Sequence, residues 1–155
     1  MTEERAEGTS RAFETARARR LGVRAALEEL ESAVAAPAAS RSAEWAQVLG
    51  TRLAKLEEAF DHHVVAAEGE DGLLPEIRGH APRLSHRIDE LCADHGRIRA
   101  AIAAAIEAVR GPDPDQHVAA LRDSVVDVMR RITHHRHLGA DLVYEAFNVD
   151  IEAAD

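Results

Sequence analysis

Three histidines, His63, His95 and His135, each stand where helical periodicity calls for an apolar side chain. On one stretch the apolar stripe runs Leu49, Leu53, Leu56, Phe60, His63. On another it runs Leu84, Ile88, Leu91, His95, Ile98, Ile102, Ile106, Val109, and on a third Val118, Leu121, Val125, Val128, Ile132, His135, Leu142. Steps of three and four keep each stripe on one helix face. Burying an imidazole without a partner is costly, so three facing one core need a shared reason. Neutral imidazole is the commonest protein metal ligand, and bundle cores are a usual place for such sites, so the chemistry expected is metal binding.

The elements that must position these residues follow from punctuation and periodicity. A first helix carries Phe13, Ala16, Arg20, Val23, Leu27, Leu30 and Val34 and stops at Pro37; Ser40 or Ser42 is placed to cap the next. The second helix spans 42–68, after which Gly69, Gly72 and Pro75 open a short irregular connector. Pro82 suits the first turn of a third helix that reaches Arg110. Gly111 is placed to close that helix in a left-handed conformation, and Asp113, Pro114 and Gln116 to cap a fourth that continues to near Asn148. Short turns between the first pair and the last pair imply antiparallel neighbours, so the expected fold is all-α, an up-down-up-down four-helix bundle. It occupies residues 10–150, with a polar lead-in over 1–9 and a tail over 151–155.

Counting from the helix ends tests whether the histidines meet. His95 lies about 16 residues before Gly111, roughly 24 Å along the helix, and Arg20 a similar distance before Ala36. His63 and His135 each lie about 21 residues after their helix starts, roughly 31 Å. The offset is within the uncertainty of helix boundaries, so all four positions fall in one layer. The two halves also resemble each other: Leu21–Leu27 (LGVRAAL) aligns with Gly96–Ile102 (GRIRAAI) when Arg20 is set against His95, which then pairs His63 with His135. A single such histidine is more often a hydrogen-bonded core residue; three in one layer favour a metal over a polar core network.

Carboxylates that could complete such a site are less well phased. Glu68 follows His63 by five residues and Glu70 by seven; Asp141 follows His135 by six and Glu145 by ten. Glu68 points off the stripe and Glu70 returns to it, with Gly69 able to relax the helix so that either reaches inward; Asp141 and Glu145 need a bulge near Gly139. His62, His80, His86, His117, His134 and His137 fall off the stripes and are expected at the surface.

Composition bounds the partners. The chain has 155 residues, 46% apolar and 30% charged with only 3% aromatic, a mixture that favours helices over sheet. A net charge of −9 argues against nucleic acid or an anionic membrane as partner. No apolar run is long enough to span a bilayer, and the acidic N-terminal residues do not read as a signal peptide. The single cysteine, Cys92, fits a reducing cytoplasm and a half-buried packing role better than a redox one.

These residues resemble the hemerythrin-like (HHE cation-binding) family over roughly 10–150. The resemblance is carried by Asp61-His62-His63-Val64-Val65-Ala66-Ala67-Glu68, Gly72-Leu73-Leu74-Pro75, Leu91-Cys92-Ala93-Asp94-His95 and His134-His135-Arg136-His137-Leu138-Gly139-Ala140-Asp141. It implies a four-helix bundle with a non-haem iron site, di-iron in the family; three imidazoles with carboxylates suit zinc as well as iron. The implied ligands are His63, Glu68, His95, His135 and Asp141, and the implied roles are oxygen or peroxide binding, sensing or handling, with no catalytic residue of its own apart from the metal. The chain departs from the family pattern in three places. Arg20 stands where the first helix supplies a histidine, Ala67 where the second supplies a carboxylate, and Leu91 and Arg99 where the third offers another histidine. A guanidinium cannot ligate a metal but can pair with Glu68 or Asp141, so the competing expectation is a metal-free bundle serving as an interaction or regulatory domain.

Overall fold

The computed structural model describes residues 2–152, and these are all-helical, without strands. Four long helices, α1 (Thr2–Ala35), α2 (Ser42–Glu68), α4 (Ser85–Val109) and α5 (Pro114–Glu152), are joined by a short helix α3 (Leu73–His80) and a single 3₁₀ turn at Pro82–Leu84. α1 packs on α2, α2 on α4 and α4 on α5, and α5 also touches α1. The α2 limits agree with those expected from the apolar stripe.

Three expectations are corrected. Residues expected as a polar lead-in are helical from Thr2 onward, and Thr9 Oγ1 donates to Glu76 Oε1 at 2.6 Å, which ties this part of α1 to α3. The expected tail begins inside α5, while Met1 and residues 153–155 lie outside the described residues. The connector after α2 is not irregular: Leu73, Leu74 and Ile77 make it an amphipathic helix with those three side chains buried. Gly72 permits this. A Cβ there would sit 2.6 Å from the Ala67 carbonyl oxygen and 2.8 Å from those of Ala66 and Gly69, so only glycine lets α3 fold back against the end of α2.

The turns also use different residues from those expected. The left-handed positions are Ser40 (φ 63°) and Asp113 (φ 53°), and no described glycine has positive φ. Short polar side chains tolerate that region because they bond locally to the backbone. Gly111 closes α4 without it, its N–H meeting the Ala108 carbonyl at 3.2 Å. Neither Ser40 nor Ser42 caps α2; Arg41 precedes the helix with no side-chain cap, and Ser42 is buried as its first residue.

α1 has no basic residue in its last turn to meet the carbonyls left open there. Other helices supply the donors. Arg122 on α5 donates through Nε to the Val34 oxygen (3.2 Å) and through Nη2 to the Ala36 oxygen (2.9 Å), with its guanidinium 5.1 Å over the Trp45 ring. Trp45 Nε1 donates to the Ala33 oxygen at 3.1 Å. Arg122→Ala is therefore expected to cost about 1–2 kcal/mol in chemical denaturation, since charge-assisted bonds are worth more than neutral ones but this group is partly solvated. An unchanged midpoint would show that water serves those carbonyls equally well.

Candidate metal centre

The core is in two parts. One contains Val23, Phe60, Ile98 and Ile132; the other contains Ala16, Ala67, Leu91 and Leu142. On each long helix the residue between these parts is polar: Arg20 on α1, His63 on α2, His95 on α4 and His135 on α5. The layer expected from helix counting therefore exists as a seam between two apolar clusters. All four residues line a single cavity of about 60 Å³, walled otherwise by Arg136 and by small or apolar residues that include Leu73, Leu74 and Ile77 of α3.

The three imidazoles are close. Ring centroids are 4.6 Å apart for His95–His135, 5.2 Å for His63–His95 and 5.7 Å for His63–His135. One ring nitrogen from each falls within 4.8 Å of the others. A metal with bonds of roughly 2 Å spans nitrogens up to about 4 Å apart, so small ring rotations suffice to bring them onto one ion. Phe60 contacts all three rings, with centroids 5.5, 5.9 and 6.1 Å from His63, His95 and His135. It is almost completely buried and seals the seam on that side.

Two of the rings are oriented by carboxylates from neighbouring helices. His95 Nδ1 donates to Glu68 Oε1 at 2.6 Å, and His135 Nδ1 donates to Asp94 Oδ2 at 2.8 Å. Such a bond fixes the tautomer: with the proton held on Nδ1, Nε2 carries the free lone pair. His95 and His135 are only 2% and 4% exposed, so each ring is locked between its carboxylate and the core. His63 Nε2 is buried with no hydrogen-bond partner among the described residues. Burial, the neighbouring His95 and His135, and the Arg20 charge push the His63 pKa down to about 3. Burial and then His95 also lower that of His135, against the opposing pull of Asp94. Both are therefore neutral near pH 7, the state in which imidazole is a ligand.

Of the five residues expected as ligands, the three histidines converge. Glu68 comes to the site, but its carboxylate engages the Nδ1 side of His95. Asp141 is exposed on α5 and lies outside the group. The alternatives Glu70 and Glu145 are also elsewhere: Glu70 is exposed, and Glu145 pairs with Arg87. The six remaining histidines are all exposed, as their angular positions predicted; His80 in addition stacks on Phe147, 5.0 Å between centroids. Asp94 was missed as a partner of His135. Its place beside His95 gives no sign of that role, because one step along a helix turns the side chain by about 100° toward the next helix. Burial and the Glu68 carboxylate raise the Cys92 pKa, which fits a packing role for that thiol.

Arg20 makes no ion pair or hydrogen bond among the described residues; neither Glu68 nor Asp141 meets it. Burial and the nearby Arg136 and Arg17 lower its pKa, so its surroundings add positive charge. Comparison with known proteins gives no further identification: no family model, no curated protein and no solved structure matches the chain.

Proposed function

We propose that this chain is a hemerythrin-like metal-binding protein, an antiparallel up-down-up-down bundle whose core seam holds one transition-metal ion on His63, His95 and His135. The observation that carries the reading is the orphaned His63 Nε2, buried beside two rings whose outer nitrogens are already fixed by carboxylates. A buried nitrogen left without a partner costs free energy, and a ligated cation would satisfy it. The tight turns at 36–41 and 110–113 support the antiparallel topology.

The donor set fits one ion and does not extend to two. Among the described residues no carboxylate lines the cavity, so they supply no bridging group for a pair of ions there. Three imidazoles suit iron and zinc alike; iron is preferred on the resemblance. When bound, the metal supplies Lewis acidity and, as iron, one-electron redox chemistry for oxygen or peroxide. The protein's own part is to hold three imidazoles, to fix the tautomers of His95 and His135 through Glu68 and Asp94, and to exclude water with Phe60 and α3. The competing metal-free core rests on Arg20 and on the ligand positions filled by Ala67, Leu91 and Arg99; the pairing of Arg20 with Glu68 or Asp141 that it expected is not found among the described residues.

Metal content of the protein after loading with ferrous iron under anaerobic conditions tests the reading. One equivalent per chain is expected, falling below a tenth of an equivalent in His95→Ala. Substoichiometric metal that His95→Ala leaves unchanged would sink it, and two equivalents would restore the two-ion form.

A further inference from the structure

Charge of one sign lines the cavity at the seam. Arg20 and Arg136 are both there, and apart from the three histidines no other lining residue is ionisable. No carboxylate pairs with Arg20 among the described residues: Glu68 turns to His95, and Asp94 to His135 and Arg97. The Arg20 charge is felt at the rings, where it joins burial, His95 and His135 in holding the His63 pKa down. The Arg20 pKa is itself lowered by burial first, then by Arg136 and Arg17, so its surroundings are positive too. Glu68 and Asp94 act on the seam in the opposite sense. They do so from the outer nitrogens of the rings and from partly exposed positions, where water and salt screen them.

Given the metal site proposed above, on which this rests, we propose that Arg20 selects by ion charge and biases iron on His63, His95 and His135 toward Fe(II) over Fe(III). A fixed positive charge repels an ion in proportion to that ion's own charge, so the ferric form meets one further unit of repulsion. A guanidinium cannot shed its proton to relieve this, and it supplies no lone pair to offset it as a ligand. The equilibrium it shifts is the gain of one electron by Fe(III) to give Fe(II), with no bond to the protein made or broken. At an effective dielectric constant near 20, two unit charges about 10 Å apart shift an equilibrium constant roughly tenfold. Linkage then ties potential to affinity: whatever raises the potential weakens the hold on the oxidised ion relative to the reduced one by the same factor.

The test compares the intact wild type with Arg20→Met and Arg20→Lys, each loaded anaerobically with one equivalent of ferrous iron and titrated through redox mediators. Arg20→Met is expected to lower the midpoint potential by about 60 mV, a tenfold change for a one-electron couple. Arg20→Lys keeps the charge and is expected to stay close to the wild type. Zinc supplies a readout free of redox chemistry, by competition with a chromogenic chelator. Arg20→Met is expected to bind zinc more tightly, by up to about a hundredfold because the repulsion acts on two charges, at unchanged one-to-one stoichiometry. A merely structural role for Arg20 gives the opposite result, weaker zinc. Equal potentials in the wild type and Arg20→Met would overturn the proposal, as would weaker zinc in Arg20→Met or an Arg20→Lys that follows Arg20→Met. Should Arg20→Met not fold, Arg20→Gln reads the same quantities. Failure of the metal reading shows separately: a wild type that takes up neither ferrous iron nor zinc removes that reading, and this proposal with it.

Discussion

Saturating divalent metal should raise the melting temperature of the metal-free protein by about 8–16 °C, and excess chelator should return it. The size follows from mass action. A ligand that binds only the native state at a thousand times its dissociation constant stabilises by about 4 kcal/mol. For a chain of this length each kcal/mol moves the midpoint by roughly 2–4 °C. Two features should bring the affinity into that range. His95 and His135 are already oriented by Glu68 and Asp94, so little ring freedom remains to be lost on binding. His63 Nε2 gains its only partner, which removes an existing penalty instead of exchanging one bond for another. His95→Ala should abolish the shift, whereas His137→Ala, on the outer surface, should leave it intact. A shift below about 2 °C at saturating metal, or one that survives His95→Ala, would count against the site.

The part of this site legible in the sequence was the part governed by helical phase. A histidine on an apolar stripe must face the core, and a core shared by several helices brings such residues together once the helix ends are aligned. That reasoning located His63, His95, His135 and the Arg20 corner, and the structure places all four on one cavity. It stopped where the outcome depended on details that phase does not encode. Glu68 reaches His95 because α2 ends there, and Asp94 reaches His135 because α4 and α5 are neighbours. Neither contact follows from spacing along one helix. α3 was hidden by Gly69, Gly72 and Pro75, which read as breakers. Gly72 in fact allows a close backbone approach, and Pro75 sits in the first turn of a helix, where its missing N–H has no intrahelical role. The turn at Asp113 shows the same limit: glycine is the usual left-handed residue, but an aspartate takes that position here and leaves Gly111 in an ordinary conformation.

Without metal, the protein should lose stability steadily as pH falls from about 6.5 toward 3. The sign follows from where the protons go. His63 has its folded pKa pushed down to about 3 by burial first, then by His95, His135 and Arg20; that of His135 is lowered in the same direction. In the unfolded chain both titrate near 6.5. Above that pH neither state binds the proton, so neither group contributes a slope. Below it the unfolded state takes up a proton that the native state refuses, and each group subtracts up to about 1.4 kcal/mol per pH unit until its folded pKa is reached. Solvent relaxation around the half-buried His63 narrows the pH window over which that slope applies and leaves the slope itself unchanged. His63→Leu should flatten the slope by that amount and, at pH 7, leave the metal-free protein as stable as the parent or more so, because the orphaned nitrogen is replaced by apolar atoms. A slope between pH 6.5 and 4.5 that His63→Leu leaves untouched would show that the acid sensitivity arises elsewhere, among the paired carboxylates. The same variant should no longer be stabilised by metal, so His63 weakens the metal-free fold and strengthens the loaded one. A side chain that packing alone would replace by leucine would then be accounted for by the proposed ion.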